Sequence, residues 1–65
     1  MNERVNGSWT GWSGNTIVEL TNGSVWEQVE YYYECRYSYH PEVIVAGDRM
    51  QVEGMNRAVR VRRLA

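Results

Sequence analysis

Residues 17–39 read IVELTNGSVWEQVEYYYECRYSY, and this stretch decides the fold. Two runs rich in β-branched and aromatic residues, which favour strands, meet at Asn22-Gly23. Asn-Gly is the preferred dipeptide of a type I′ turn, because both central residues of that turn need a positive φ. The second run carries tyrosines at the two-residue period of a strand. The stretch therefore predicts a β-hairpin within a small, antiparallel, all-β domain.

The return run of the hairpin, residues 25–39, is too long for one straight strand. Its length at ~3.3 Å per residue is roughly 50 Å, whereas a compact chain of this size is roughly 28 Å across. The run must bend sharply, contain a bulge or project from the body. Trp26 is even-numbered and the tyrosines at 31, 33, 37 and 39 are odd-numbered. We therefore predict a bulge near Glu27-Gln28 that places Trp26 and these tyrosines on one face.

Three shorter runs complete the strand pattern. After His40-Pro41 ends the long run, apolar and polar residues alternate in segments that are separated by Gly-containing turns. Five strands in a half-open barrel are the arrangement that best hides strand edges in so short a chain. The five predicted strands cover residues 17–20, 25–39, 42–46, 49–53 and 57–64.

Residues 1–15 form a separate predicted region. They are rich in Gly, Ser, Asn and Thr, and they predict an irregular arm or loop that precedes a barrel over residues 16–65. Trp9 and Trp12 lie in this arm. Because each indole can bury ~150–250 Å², the two side chains either close over one end of the core or face a partner. The sequence leaves both alternatives open.

The composition limits how this chain can be stabilised. Its 65 residues allow one domain, and a chain this short buries only about 60% of its unfolded surface. Cys35 is the only cysteine, so no intramolecular disulfide can form. One Cys and one His cannot complete a four-ligand zinc site, and we predict neither a metal nor a cofactor. Oligomerisation is the remaining means of stabilisation, so we predict a homo-oligomer.

The sequence also predicts a cytoplasmic location and no membrane partner. Its first residues lack the basic and apolar regions of a signal peptide. No stretch approaches the roughly 20 apolar residues of a membrane span. A lone cysteine suits a reducing compartment.

Four motifs carry a resemblance to a known group of domains. They are a Gly-Trp-x-Gly-x-Thr opening at Gly11, an Asn-Gly-x-x-Trp-x-Gln hairpin at Asn22, alternating Tyr before Pro41, and a Val-x-Val-x-Arg-Leu ending at Val59. In these motifs the chain resembles small, uncharacterised bacterial SH3-like barrel domains, including proteins of integron gene cassettes. Cys35 departs from the group, which has an aromatic residue there. Together with the strand pattern, the resemblance implies a single five-stranded, antiparallel, SH3-like barrel, but no activity.

Aromatic residues form the first candidate site. Rings on one face of a strand lie about 7 Å apart, a spacing that suits stacking on a peptide or on bases. Alternatively, some rings fill the barrel while the others cover a subunit contact. We predict a non-enzymatic module that binds a protein or peptide partner, or another copy of itself, through one aromatic surface. The predicted residues are Trp9, Trp12, Tyr31, Tyr33, Tyr37 and Tyr39.

The C-terminal strand offers a second candidate site. Its arginines suit phosphate recognition, because a planar guanidinium group can bind two oxygens at once. These residues are Arg57, Arg60, Arg62 and Arg63. The alternative is that they pair with glutamates of neighbouring strands. A nucleic-acid-binding barrel is thus the second functional hypothesis, and the net charge of −1 disfavours it.

Catalysis has the least support. Cys35 and His40 could serve as nucleophile and base, but their odd and even positions place them on opposite faces of an extended strand. The acidic residues are scattered, and no Gly-rich phosphate loop leads into a helix. We predict that the protein is not an enzyme. An active site formed between subunits at a symmetry axis remains open.

Overall fold

The structure of the protein is a computed structural model that describes residues 2–65, so Met1 of the predicted arm lies outside it. Within this range the regular secondary structure is all β-strand and every strand pair is antiparallel, which confirms the all-β, antiparallel part of the prediction. The described chain measures 25 × 22 × 16 Å. Its strands are β1 (Asn2–Arg4), β2 (Ser8–Ser13), β3 (Ile17–Glu19), β4 (Val25–Gln28), β5 (Tyr33–Tyr39), β6 (Glu42–Ala46), β7 (Arg49–Val52) and β8 (Val59–Arg63).

The strands form two sheets. One has six strands in the order β1-β6-β7-β8-β4-β3, and the other consists of β2 and β5. The edges of the larger sheet meet at a bridge between Val5 and Leu20. Beside it, the Thr21 amide donates to the Arg4 carbonyl over 2.8 Å. The larger sheet is therefore curled into a half-barrel, and the predicted count of five strands in one sheet was wrong.

The N-terminal segment is not an irregular arm. β1 pairs with β6, and β2 pairs with β5. Between these pairs, the Val5 amide donates to Pro41 and the His40 amide donates to Gly7, each over 3.0 Å, so pairing continues through the bend. Gly, Ser and Asn have low intrinsic strand propensity, but tertiary context overrides such preferences. Here a partner strand supplies the hydrogen bonds.

The long run from Val25 to Tyr39 does bend, directly after the predicted position near Glu27-Gln28, but through a four-residue turn and not a bulge. β4 ends at Gln28, residues 29–32 turn the chain, and β5 then enters the second sheet. The turn also separates the side chains that were predicted to share a face. Trp26 is buried in the core, whereas the tyrosines at 31, 33, 37 and 39 are exposed.

Gln28 holds this turn in place. Its Nε2 donates to the carbonyls of Glu30 and Tyr32 over 2.9 and 2.8 Å. Its Oε1 accepts from the amides of Gly14 and Thr16 over 2.9 and 3.2 Å. The side chain is only 4% exposed. A single buried amide therefore ties the β4–β5 turn to the loop that follows β2.

We expect Gln28→Leu to reduce the free energy of unfolding by about 2–3 kcal/mol, because it leaves buried backbone groups without partners. Urea denaturation followed by circular dichroism measures the loss. Gln51→Leu is the matched control, since Gln51 is half-buried and its Nε2 donates only to the Val52 and Met55 carbonyls. We expect about 1 kcal/mol there, and equal losses in the two variants would contradict the role given to Gln28.

The predicted hairpin is present as β3 and β4, but its turn is not type I′. The Gly23 amide donates to the Leu20 carbonyl over 2.9 Å, and the Leu20 amide donates to Ser24 over 2.9 Å. Gly23 has φ 88°, whereas Asn22 is not among the residues with positive φ. The connection is thus a three-residue loop with its left-handed residue last. The Asn22 Oδ1 instead accepts from the Ser24 amide and hydroxyl, over 3.0 and 2.6 Å.

Candidate binding surface

The two N-terminal tryptophans belong to the core and not to a surface. Trp9 and Trp12 are each 2% exposed, and their rings meet edge to face with centroids 4.9 Å apart. Both side chains point inward although their positions differ in parity, because β2 is distorted between them at Gly11, which has φ 105°. The prediction that they form part of a binding surface was therefore wrong. Their burial fits the alternative in which they close the core.

The four predicted tyrosines remain at the surface. We call these residues, together with Cys35 between them, the tyrosine face. Tyr31 is 85% exposed, and the three others are 60–70% exposed. Cys35 is also exposed. The members on β5 occupy every second position, so they share the outer side of that strand. They are Tyr33, Cys35, Tyr37 and Tyr39.

Local contacts order part of the tyrosine face. The rings of Tyr31 and Tyr33 meet edge to face with centroids 5.2 Å apart. A hydrogen bond with Tyr31 raises the pKa of the Tyr33 hydroxyl. The Tyr33 ring lies over Gly14, where a Cβ atom would come within 2.9 Å of the phenolic oxygen. The Tyr37 and Ser8 hydroxyls are 3.4 Å apart. The face is thus partly preorganised while its rings stay accessible.

β5 also has an edge with no partner strand. It pairs with β2 on one side only, and no other strand of residues 2–65 pairs with its second side. An unpaired edge presents backbone N–H and C=O groups that can bind a further strand. Apart from Tyr31, the tyrosine face belongs to the same seven residues of chain as this free edge. Aromatic side chains and backbone hydrogen-bonding groups are therefore available together.

The opposite side of β5 is polar, and the sequence reasoning missed it. Glu34 accepts from the Asn56 amide over 3.0 Å, and the Arg36 guanidinium lies over Gly54. The Arg36 guanidinium makes no hydrogen bond or ion pair with the described residues, although its charge helps to lower the pKa of Glu34. The sequence does contain a signal for this polar side. Glu34 and Arg36 carry opposite charges two positions apart, and they alternate with the residues of the tyrosine face.

Most of the C-terminal arginines are already paired. Arg62 binds Glu27 over 2.5 Å, and Arg57 forms an ion pair with Glu30 and lies over the Tyr32 ring at 4.5 Å. Arg63 donates to the Ala65 carbonyl over 2.9 Å. Only Arg60 has a side chain without a hydrogen bond or ion pair to residues 2–65. The structure thus favours cross-strand pairing over a free anion-binding stripe.

Two glutamates accept hydrogen bonds from the backbone of β8 and of the turn between β7 and β8. Glu30 accepts from the Arg60 amide over 2.8 Å, and this bond, together with Arg57, lowers the pKa of its carboxyl group. The Tyr32 hydroxyl donates to Glu34 over 2.7 Å, and this bond, with the Asn56 amide, lowers the pKa of Glu34. The same contact raises the pKa of Tyr32. Both carboxylates therefore stabilise the fold in their charged form.

Because these two carboxyl groups have a lower pKa when folded, their contribution is present above the ordinary value of 4.5 and is lost as the pH falls through the folded pKa. We expect the melting temperature to drop when the pH is lowered below about 4.5. Glu34→Gln should show a shallower acid decline. Calorimetric scans across this pH range test the expectation, and an acid decline in the variant as steep as in the wild type contradicts it.

No hydrogen bond joins Cys35 to His40 within the described residues. Cys35 lies in the middle of β5 on the tyrosine face, whereas His40 follows the end of that strand with φ 57°. The His40 carbonyl accepts from the Arg4 guanidinium over 2.7 Å. No group of three His, Cys, Asp or Glu side chains within residues 2–65 could hold a metal ion. The described part of the chain contains no helix that is long and apolar enough to span a membrane.

One open cleft lies away from all the predicted site residues. It has a volume of about 460 Å³ and lies along β1 and β6, where Arg4, Glu42 and Ile44 line it together with Thr21. The Thr21 hydroxyl donates to Glu3 over 2.9 Å, and Arg4 and Glu42 approach to 3.9 Å. Each of the charged side chains of the cleft thus has a partner inside it. The tyrosine face is the stronger candidate for a binding surface.

Comparisons of the chain with protein-family models, with curated proteins and with solved structures found no match.

Proposed function

We propose that the protein is a non-enzymatic module that binds another polypeptide through the tyrosine face and the free edge of β5. The observation that carries this proposal is the row of exposed aromatic rings on a strand with an unpaired edge. Edge strands recruit extended segments through main-chain hydrogen bonds, while side chains of alternate residues provide specificity. Tyrosine is well suited to that role, since it offers a large contact area at a small entropic cost.

The core architecture supports the same proposal. The core cluster is made of the buried tryptophans and the inner residues of the half-barrel, with Tyr32 packed against it, and it includes none of the four tyrosines of the tyrosine face. We therefore expect replacement of these outer rings to leave the core intact, as for side chains that contact a partner. We assign the half-barrel to the SH3-like class and the protein to the cytoplasm, where an exposed thiol such as that of Cys35 stays reduced.

No observation favours the nucleic-acid hypothesis. Arg57 and Arg62 are neutralised by Glu30 and Glu27. Glu30 lies in the turn before β5, and Glu34 lies within β5. Phosphate binding needs unpaired basic groups in a positive potential. Among the four C-terminal arginines only Arg60 is unpaired within the described residues, and the charge of Arg36 on β5 already acts on Glu34, whose pKa it lowers.

Site-specific photocrosslinking tests the proposed function. Tyr37 on the tyrosine face is replaced by p-benzoylphenylalanine, and cells that produce the protein are irradiated. The control carries the same group at Ile44, which is also exposed but lies on β6. We expect a covalent protein adduct from position 37 that disappears when Tyr33→Ser is added, and no such adduct from position 44. The absence of an adduct at position 37, or the same adducts at both positions, overturns the proposal.

A further inference from the structure

The sequence of β5 and its approach is symmetrical about Cys35. Tyrosines stand two positions away on either side, at Tyr33 and Tyr37, and four positions away, at Tyr31 and Tyr39. One position away, the two sides carry opposite charges, Glu34 and Arg36. A strand with this pattern is complementary to an antiparallel copy of itself.

From this symmetry we propose that the polypeptide bound at β5 is a second copy of the chain, paired antiparallel along the free edge with Cys35 opposite the partner's Cys35. This inference rests on the proposed function and names its partner. The pairing joins two two-stranded sheets into one four-stranded sheet with a twofold axis at Cys35. Tyr33 then faces the partner's Tyr37, and aromatic pairs directly opposite one another stabilise antiparallel strands.

Charge complementarity selects this register. Glu34 faces the partner's Arg36 on the polar side of β5. This charge pair and the Tyr33–Tyr37 pair each occur twice, because the two copies are related by the twofold axis. Sliding one strand by two residues places Glu34 opposite the partner's Glu34, or Arg36 opposite the partner's Arg36, and like charges in that position are destabilising. Sliding it by one residue turns the tyrosines of one copy to the polar side of the other. Among these neighbouring registers, only the one centred on Cys35 places opposite charges together on the polar side and aromatic rings together on the outer side.

The register can be read from a disulfide between the two copies. Residues directly opposite each other in antiparallel strands have Cα atoms about 4.5–5.5 Å apart, within the range of roughly 4.4–6.8 Å that a disulfide spans. Diamide, which oxidises two thiols to a disulfide and is itself reduced to the hydrazine, should therefore crosslink wild-type protein rapidly. In the control variant Cys35→Ser/Tyr39→Cys, the two thiols would lie roughly 26 Å apart, since each is four residues of ~3.3 Å from the axis.

We expect the wild-type dimer to crosslink more than about tenfold faster than the control variant at equal concentration, because pairing raises the effective concentration of the facing thiols. Non-reducing electrophoresis and intact mass measure the rate. Equal rates in the two proteins overturn the proposed register. Circular dichroism of both proteins shows whether they are folded, and a wild-type rate that survives in denaturing urea also overturns it.

Charge reversal gives an independent test. Arg36→Glu places two glutamates opposite each other and should weaken self-association more than about tenfold, a change of about 1.4 kcal/mol. Arg60→Glu makes the same change of charge on β8 and should leave self-association unchanged. Mixing the Glu34→Arg and Arg36→Glu variants should restore a heterodimer, because each strand then carries one sign of charge. Circular dichroism first shows whether Glu34→Arg is folded, since Glu34 also accepts hydrogen bonds from the Tyr32 hydroxyl and the Asn56 amide. Sedimentation velocity measures all three, and equal effects of Arg36→Glu and Arg60→Glu overturn the pairing.

The two proposals fail in different ways. A photocrosslink from position 37 to a different protein, with no disulfide between Cys35 residues, supports the binding module and overturns self-pairing. No photocrosslink and no disulfide overturn both.

Discussion

Gly11→Ala is expected to leave the protein unfolded. Gly11 has φ 105°, and a Cβ atom there would lie 2.0 Å from the Glu34 carbonyl oxygen and 2.9 Å from the Arg36 amide nitrogen. These are backbone atoms of the paired strand, so they cannot move without separating β2 from β5. The loss should exceed about 3 kcal/mol. This is comparable to the total stability of a chain of this size, about 3–10 kcal/mol.

Gly7→Ala is a closely matched control for this substitution. Gly7 has the same φ of 105°, but a Cβ atom there would meet no atom within 4 Å. Gly7→Ala should therefore lower the free energy of unfolding only by the cost of the left-handed backbone conformation, about 1–2 kcal/mol. Urea denaturation followed by far-ultraviolet circular dichroism compares the two variants. Similar losses at the two positions would show that the close approach of β2 and β5 at Gly11 is not tight.

Trp12→Ala should destabilise the protein by about 3–5 kcal/mol, because it removes a large buried ring and leaves a cavity. Trp12 is 2% exposed and packs edge to face on Trp9. Tyr37→Ala removes a ring that is 70% exposed, and its effect on the stability of the monomer should stay within about 0.5 kcal/mol. Aromatic residues of this chain thus fall into two classes, those that build the core and those that face outward.

Denaturation of the two variants at low protein concentration tests this division, since dilution removes any contribution of self-association. Far-ultraviolet circular dichroism is the suitable signal, because Trp12→Ala also changes the indole fluorescence. A loss for Tyr37→Ala as large as that for Trp12→Ala would mean that the tyrosine face is structural.

The parts of the fold that follow a local pattern were predictable from the sequence. Alternation of apolar and polar residues gave β6 and β7 with bounds close to those observed, and Asn22-Gly23 marked the hairpin. β1 and β2 were not predictable, because their residues have low strand propensity and depend on β6 and β5 for hydrogen bonds. The bend near Gln28 was required by length, but its form depends on the amides of Gly14 and Thr16, which are distant in sequence and which no local pattern reveals.

The candidate site shows the same limit. The two-residue spacing of the tyrosines correctly grouped Tyr33, Tyr37 and Tyr39 on one side of a strand. It could not tell which side faces the solvent, so Trp26 was wrongly placed with them. Parity also failed for Trp9 and Trp12, because the distortion at Gly11 turns both rings inward. The side of a strand that is buried is decided by the elements packed against it.

Hydrogen–deuterium exchange at two protein concentrations tests the role of β5 most directly. We expect backbone amides of residues 31–39 to exchange more slowly at high concentration than at low concentration, because a second strand covers the free edge. Amides of β6 and β7, which are paired within one chain on both sides, should exchange at the same rate in both samples. Exchange in residues 31–39 that is independent of concentration, together with a folded protein, would contradict this role.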